Sequence, residues 1–411
     1  MNAEPRTCRF RPGNHLSLLK NGVELFPALR EAIDQAQISV HLETYIFKLD
    51  RSGKDILAAL MRASGRGVAV RVVLDGFGSA DHADAIRQAI QSAGGICRIY
   101  HPEPKWFRWV LIHIDRLRRL HRKIVIVDGE TAFIGGINME DDFTETSGES
   151  NRLEPRYDYA VRIKGPVVAD AVHAVNHVWL RLNWVDIRRS MSSWRRFRKQ
   201  ARARLAPGGE AARLQANEQT ASAALVLRDN LRHRRSIEQV YLHFIQQAQR
   251  EIIIANAYFL PGWRLRHALM EASKRGVRVR LLLQGRVEYR LQSHATRWLY
   301  DQFLQTGVEI LEYMPSHLHG KVAVMDGVAT VGSSNLDPFS LLLAREANVV
   351  VHDKVFVQQL RQSLEHAIQK GSVVIEPGSH KKRHLIVRSM DALAYLVVRV
   401  GVAITGHSQE Y

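Results

Sequence analysis

Apolar and polar positions alternate along this chain in a way that marks short strands separated by helices. Residues 38–47 (ISVHLETYIF) and 252–259 (IIIANAYF) are β-rich apolar runs of strand length. Behind each, residues 56–63 and 265–272 repeat apolar side chains at helical spacing. An Arg-Gly pair ends each helix, because glycine readily takes the left-handed conformation of a C-terminal cap. Second strands are predicted at 68–74 and 277–283. Further apolar strands are predicted at 124–127 and 322–325, and again at 159–163 and 348–351.

These elements pair off because the chain contains an internal repeat. RASGRGVAVRVVLDG (residues 62–76) matches EASKRGVRVRLLLQG (residues 271–285) at nine of fifteen positions. The predicted fold is α/β, with two pseudo-symmetric halves, each a mixed sheet flanked by helices. The first half is assigned residues 1–205 and the second 206–379. The stretch 195–224 reads as a linker: it starts basic and passes through Pro207-Gly208-Gly209. The tail, 380–411, opens with Lys381, Lys382 and Arg383 and continues into an apolar-rich segment. It reads as a membrane-association segment, either a surface amphipathic helix or a core-packed end.

Composition narrows the function. The chain has 411 residues, 58 Lys and Arg against 41 Asp and Glu, and a formal net charge of +17. An acidic protein that repels phosphates is excluded; nucleic acid, an anionic membrane surface and small anions remain allowed. With 46% hydrophobic and 24% charged residues, the chain reads as globular over most of its length. Cys8 and Cys97 are its two cysteines, which fits a reducing compartment; Cys97 reads as a small core residue. No Cys/His cluster has zinc-site spacing. The N-terminal residues lack the apolar run of a signal peptide, and no window is long and apolar enough for an ordinary membrane span.

One chemical pattern occurs once in each half. His121-Arg-Lys123, four residues, Asp128 is followed by Gly135-Gly136-Ile-Asn138. His319-Gly-Lys321, four residues, Asp326 is followed by Gly332-Ser333-Ser334-Asn335. Side chains two apart on a strand share a face, so each His projects with its Lys. If the halves pack as a pseudo-dimer, two imidazoles, two ammonium groups and two amides surround one point. That suits a phosphodiester: cations and amides stabilise the phosphorus oxygens, one imidazole attacks and the other protonates the leaving alcohol. No metal or other cofactor is expected. Asp158 and Glu346 occupy matching places, and either could accept from a ring N–H of its own repeat's histidine. Asp128 and Asp326 are candidate catalytic residues, although an Asp before Gly is also a common turn former. His113, Asp115 and His317 lack the lysine at plus two and are set aside.

The doubled H-x-K-x4-D with GGIN and GSSN resembles the phospholipase D superfamily over about residues 10–375. HRKIVIVDGETAFIGGIN, IIIANAYFLPG, HGKVAVMD, VGSSNLDP and EANVVVHD resemble its bacterial cardiolipin synthase branch, B type. The resemblance implies transfer of a phosphatidyl group between two phosphatidylglycerols through a phosphohistidine, releasing glycerol. It favours His121 as the nucleophile and His319 as the acid, with the reverse left open by the pseudo-symmetry, and makes Lys123 and Lys321 catalytic, with the phosphate held by Asn138, Asn335 and Ser333; capping or shaping a turn is the other reading of Ser333. The second Asp-to-Asn interval is nine residues against ten, which predicts a tighter turn before Gly332. A hydrolase or nuclease acting on another phosphodiester is the rival reading. Aromatic and basic runs at 106–112, 179–184 and 194–199 suit either a solvated helix face or a membrane interface. The expected partners are an anionic phospholipid and a membrane surface, not nucleic acid. The expected place is the cell membrane, peripheral, on its cytoplasmic face.

Overall fold

A computed structural model describes residues 5, 7–102, 118–143, 154–184, 220–229, 233–378 and 383–404. In chain order the first half contains β1 (Arg11–Lys20), α1 (Asn21–Gln35), β2 (Ser39–Thr44), α2 (Arg51–Gly65), β3 (Ala69–Asp75), α3 (Ala83–Ser92), β4 (Ile96–Tyr100), β5 (Lys123–Val127), β6 (Thr131–Gly135), β7 (Tyr159–Lys164) and α4 (Val167–Trp184). The second contains β8 (Ala221–Arg228), α5 (Ser236–Gln247), β9 (Glu251–Asn256), α6 (Trp263–Lys274), β10 (Arg278–Gln284), α7 (Arg290–Trp298), α8 (Tyr300–Leu304), β11 (Glu309–Tyr313), β12 (Lys321–Met325), β13 (Val328–Gly332), α9 (Pro338–Leu342), β14 (Glu346–His352), α10 (Lys354–Gly371), β15 (Ser372–Ile375) and α11 (Leu385–Ile404). The strand–helix–strand units read from the sequence are present in both halves. The Arg-Gly caps adopt the expected conformation, with φ +87° at Gly67 and +90° at Gly276.

All fifteen strands join one sheet, in the order β15-β11-β10-β9-β12-β13-β14-β8-β1-β7-β6-β5-β2-β3-β4. From the middle outward the two arms repeat the same sequence of elements, so the pseudo-two-fold axis passes between β1 and β8. These two pair at only a few positions, Arg11 with Ala223 and Asn14 with Ala221. The sheet of one half therefore continues into the other. β5 and β12 are buried along their whole length, as strands covered on both faces must be. One apolar core spans the halves: Ile124, Ile126 and Val161 share it with Val322, Val324 and Val349, under Leu360 and Leu364 of α10. The N-terminus of α10 is capped by Asp353, whose carboxylate accepts from the Phe356 N–H at 2.8 Å.

Two sequence expectations are revised here. We read Asp128 and Asp326 as turn braces that stand apart from the histidines. Each lies at the far end of the strand from its histidine, in the left-handed region (φ +54° and +49°), and braces the start of a neighbouring strand. Asp128 accepts from the N–H groups of Gln37, Ile38 and Ser39, and Asp326 from those of Gln249, Arg250 and Glu251. The shorter second interval lies in this same hairpin, where Asp326-Gly327 replaces Asp128-Gly129-Glu130. Trp179 is not at an interface: it is buried, with Arg71 and Arg98 over its ring at 5.2 and 4.7 Å. The expected runs at 106–112 and 194–199, His113, Asp115 and the half boundary at 205/206 lie outside the described residues. The tail helix α11 buries one face in the core of the second half and leaves the other exposed. Among the described residues no helix is long and apolar enough to cross a membrane. Cys8 and Cys97 are both buried, and burial pushes Cys97 up to about 12.

Replacing Asp128 or Asp326 by alanine removes a carboxylate that satisfies three backbone N–H groups and adds left-handed strain. Chemical denaturation should show a loss of about 1–3 kcal/mol. Turnover per folded molecule should stay near that of the parent, and a selective loss of turnover would restore the catalytic assignment.

Candidate active site

The two histidines are set at the entrances of β5 and β12 by bonds that cross between the halves. The His121 N–H donates to the Arg345 carbonyl at 3.0 Å, and the Arg345 N–H to the Arg119 carbonyl at 2.8 Å. By symmetry, the His319 N–H donates to the Tyr157 carbonyl at 2.8 Å and the Tyr157 N–H to the His317 carbonyl at 2.9 Å. Arg345 and Tyr157 immediately precede Glu346 and Asp158. Each carboxylate is thereby delivered to the opposite histidine.

The side chains complete the exchange. His121 Nδ1 lies 2.8 Å from Glu346 Oε1, and His319 Nδ1 lies 2.6 Å from Asp158 Oδ2. The expected pairing within each repeat is therefore corrected. An ionised carboxylate only accepts, so each Nδ1 carries the proton and each Nε2 keeps its lone pair. Glu346 is fully buried and is held in turn by the Ser333 hydroxyl, which donates to Oε2. Ser333, expected at the phosphate, thus braces the carboxylate that orients His121. At the matching position stands Gly136, where a Cβ would run into the Asp158 carboxylate. The shorter acid thus approaches over a glycine and the longer one rests on a serine.

Lys123 and Lys321 follow their histidines on the same strand face. Lys123 Nζ donates to the His121 carbonyl at 2.7 Å, and Lys321 Nζ to that of His319. Burial, the largest influence on both, draws Lys123 down to about 8 and Lys321 down to about 7. Burial also lowers His121, with Glu346 opposing it, and lowers His319 well below the usual imidazole range. The nearby positive charges of Lys321, Arg156 and Lys123 push His319 further the same way. Asp158 rises to about 6 by burial and is held down by Lys321, 3.9 Å away. His121 is among the charges acting on His319, and Lys321 among those acting on His121, so the two sets share one environment. Asn138 and Asn335 are buried beyond their glycine turns, each with a side-chain oxygen that has no hydrogen-bond partner.

Tyr45 escaped the sequence reading. Its ring packs edge-on against His121, centroids 4.8 Å apart, with Lys123 Nζ 5.4 Å from the ring centre. Strand register sets Tyr45 against Ala257 in the other half, since Thr44 pairs with Leu74 as Asn256 pairs with Leu283. Leu74 and Leu283 align in the repeat itself.

The family described as cardiolipin synthase, PLD-like domain, matches residues 29–173 and 241–368. The chain belongs to this family. Its two matched segments contain both histidine–lysine motifs and both carboxylates. The chain is 40% identical over 400 residues to cardiolipin synthase B of Escherichia coli K12 and of Salmonella typhimurium, covering 97% of this chain and 91% of each relative. It is 28% identical over 383 residues to cardiolipin synthase 1 of Bacillus cereus, covering 92% of this chain and 71% of the relative. Among solved structures, phosphatidylserine synthase of Haemophilus influenzae superposes with a TM-score of 0.63 at 16% identity over 95% of both chains, a likeness of fold.

The crossed pairing is open to direct observation. Glu346→Gln should shift or abolish the downfield proton resonance of His121 Nδ1–H and leave that of His319 in place. Asp158→Asn should do the reverse. Pairing within each repeat predicts the opposite assignment.

Proposed function

We infer that this chain is a phosphatidyltransferase that makes cardiolipin, moving a phosphatidyl group from one phosphatidylglycerol to another and releasing glycerol. The crossed His121–Glu346 and His319–Asp158 pairs carry the reaction type, since each takes up Nδ1 and leaves Nε2 for chemistry, one ring to attack and the other to donate a proton. The substrates follow from the full-length likeness to proteins named cardiolipin synthase B.

In the first step His121 Nε2 attacks phosphorus, the N–P bond forms and the bond from phosphorus to the glycerol oxygen breaks. His319, protonated at Nε2, gives its proton to the departing alkoxide. Lys123 and Lys321, with the Asn138 and Asn335 amides turned to donate, stabilise the non-bridging oxygens as charge builds. In the second step the now neutral His319 takes the proton of a hydroxyl on the second phosphatidylglycerol. That oxygen attacks phosphorus, cardiolipin forms and His121 is released. Burial makes imidazolium costly in the empty site, and the anionic substrate offsets that cost when it arrives. The same reading puts the protein at the cytoplasmic face of the cell membrane, peripherally, with the anionic substrate matched by the basic charge.

Purified protein with labelled phosphatidylglycerol vesicles should yield cardiolipin and free glycerol in equal amounts. DNA cleavage without lipid turnover would overturn the proposal. His121→Ala should lower the rate by about 10³-fold or more. His319→Ala, given a phosphatidyl donor with a p-nitrophenol leaving group that needs no proton, should accumulate an adduct on His121. Mass spectrometry placing the wild-type adduct on His319 reverses the roles.

The rate should also fall on the alkaline side. Below about 7 both lysines hold their protons, and above about 8 both have lost them, so kcat/KM drops as pH rises through that window. A profile that stays level to about pH 9 contradicts the lysines' part.

A further inference from the structure

The C-terminal helix α11 has two apolar faces. One is anchored. Ala394, Val398 and Val402 are buried in the core of the second half, and Tyr395 stacks on Trp298 of α7 at 6.4 Å. Asp391, fully buried, accepts from His294 Nδ1 at 2.6 Å and from Arg383 at 3.4 Å. The other face is exposed among the described residues. Ile386, Met390, Leu393, Val397 and Val400 follow one another at helical spacing, between 48% and 66% exposed, with Leu385 and Leu396 beside them at 72% and 56%. Such a row on a monomer's surface marks an interaction site.

Its charges indicate what lies against it. Asp391 is the only acidic residue in the helix and points inward. Arg388 and Arg399 border the outer apolar face on one side, as cations do on helices that lie in a membrane interface. The chain's net charge of +17 favours an anionic partner. The position of the helix matters too. Val398 shares a small cavity with Tyr258, which packs against Tyr289 at 5.7 Å. Tyr258 also lines a pocket with Ala257, whose N–H donates to the carbonyl of Gly320, the residue after His319.

We propose that the outer face of α11 is the docking surface for an anionic phospholipid bilayer. It lies flat in the headgroup region beside the mouth of the catalytic cleft, so that lipid reaches the histidines without leaving the membrane. This rests on the cardiolipin reading for the purpose of docking, but the binding itself can be measured apart from it.

The test is flotation with vesicles of phosphatidylcholine and phosphatidylglycerol in equal parts, and with phosphatidylcholine alone. Wild-type protein should float with the mixed vesicles, and less so as salt rises. Leu393→Glu/Val397→Glu, both at exposed positions, should weaken flotation about tenfold or more. Arg388→Gln should weaken it about fivefold, and only where phosphatidylglycerol is present. Val373→Glu/Val374→Glu, exposed apolar residues on the edge strand β15, should leave it unchanged. The Leu393/Val397 variant should still turn over a short-chain, monomeric phosphatidylglycerol at the wild-type rate. Loss of that turnover in the wild type would sink the cardiolipin reading alone. Unchanged flotation of the Leu393/Val397 variant would overturn the docking surface. So would a wild-type dimer that this variant dissolves without any effect on vesicles.

Discussion

The site depends on an exchange between the two halves. Each histidine is oriented from the other repeat. Its backbone N–H, and the carboxylate that fixes its ring, both meet residues of the other repeat. The backbone bridges at Arg345 and Tyr157 set the register, and the carboxylates one residue further on follow from it. The wider architecture serves this junction. The continuous sheet, the shared core beneath α10 and the strands buried on both faces leave little freedom for the halves to shift against one another. A small rotation between them would part both imidazoles from their acceptors together.

The same enclosure sets the electrostatics. Two lysines, two histidines and two acids are nearly dry, and burial is the leading influence on each group whose proton affinity moves. Buried charges survive only when paired, and here the pairing is incomplete in a useful direction. The lysines turn back to the carbonyls of their own histidines and await a negative group. A phosphodiester monoanion supplies the charge that the pocket lacks.

Much of this was legible in the chain, and the failures have physical causes. The doubled motif, the strand–helix–strand units and the places of Asp158 and Glu346 could be read because periodicity and repetition are local properties. The crossing could not, because a repeat shows which residues correspond and says nothing of which copy they touch. Ser333 looked like a phosphate ligand because it follows a glycine turn, and only the buried Glu346 reveals its partner. Asp128 and Asp326 sit in the motif at constant spacing, yet a strand of five residues carries them to the end away from the histidines. Tyr45 lies outside the repeated motif, and only its packing against His121 shows that it belongs to the site.

Tyr45 and Ala257 hold equivalent places, but one lays an aromatic ring against its histidine and the other carries only a methyl group. The duplicated cleft is therefore handed. Two lipids of the same kind entering it meet different surroundings, so a symmetric ancestor could come to assign donor and acceptor to separate sides without altering a single reacting group.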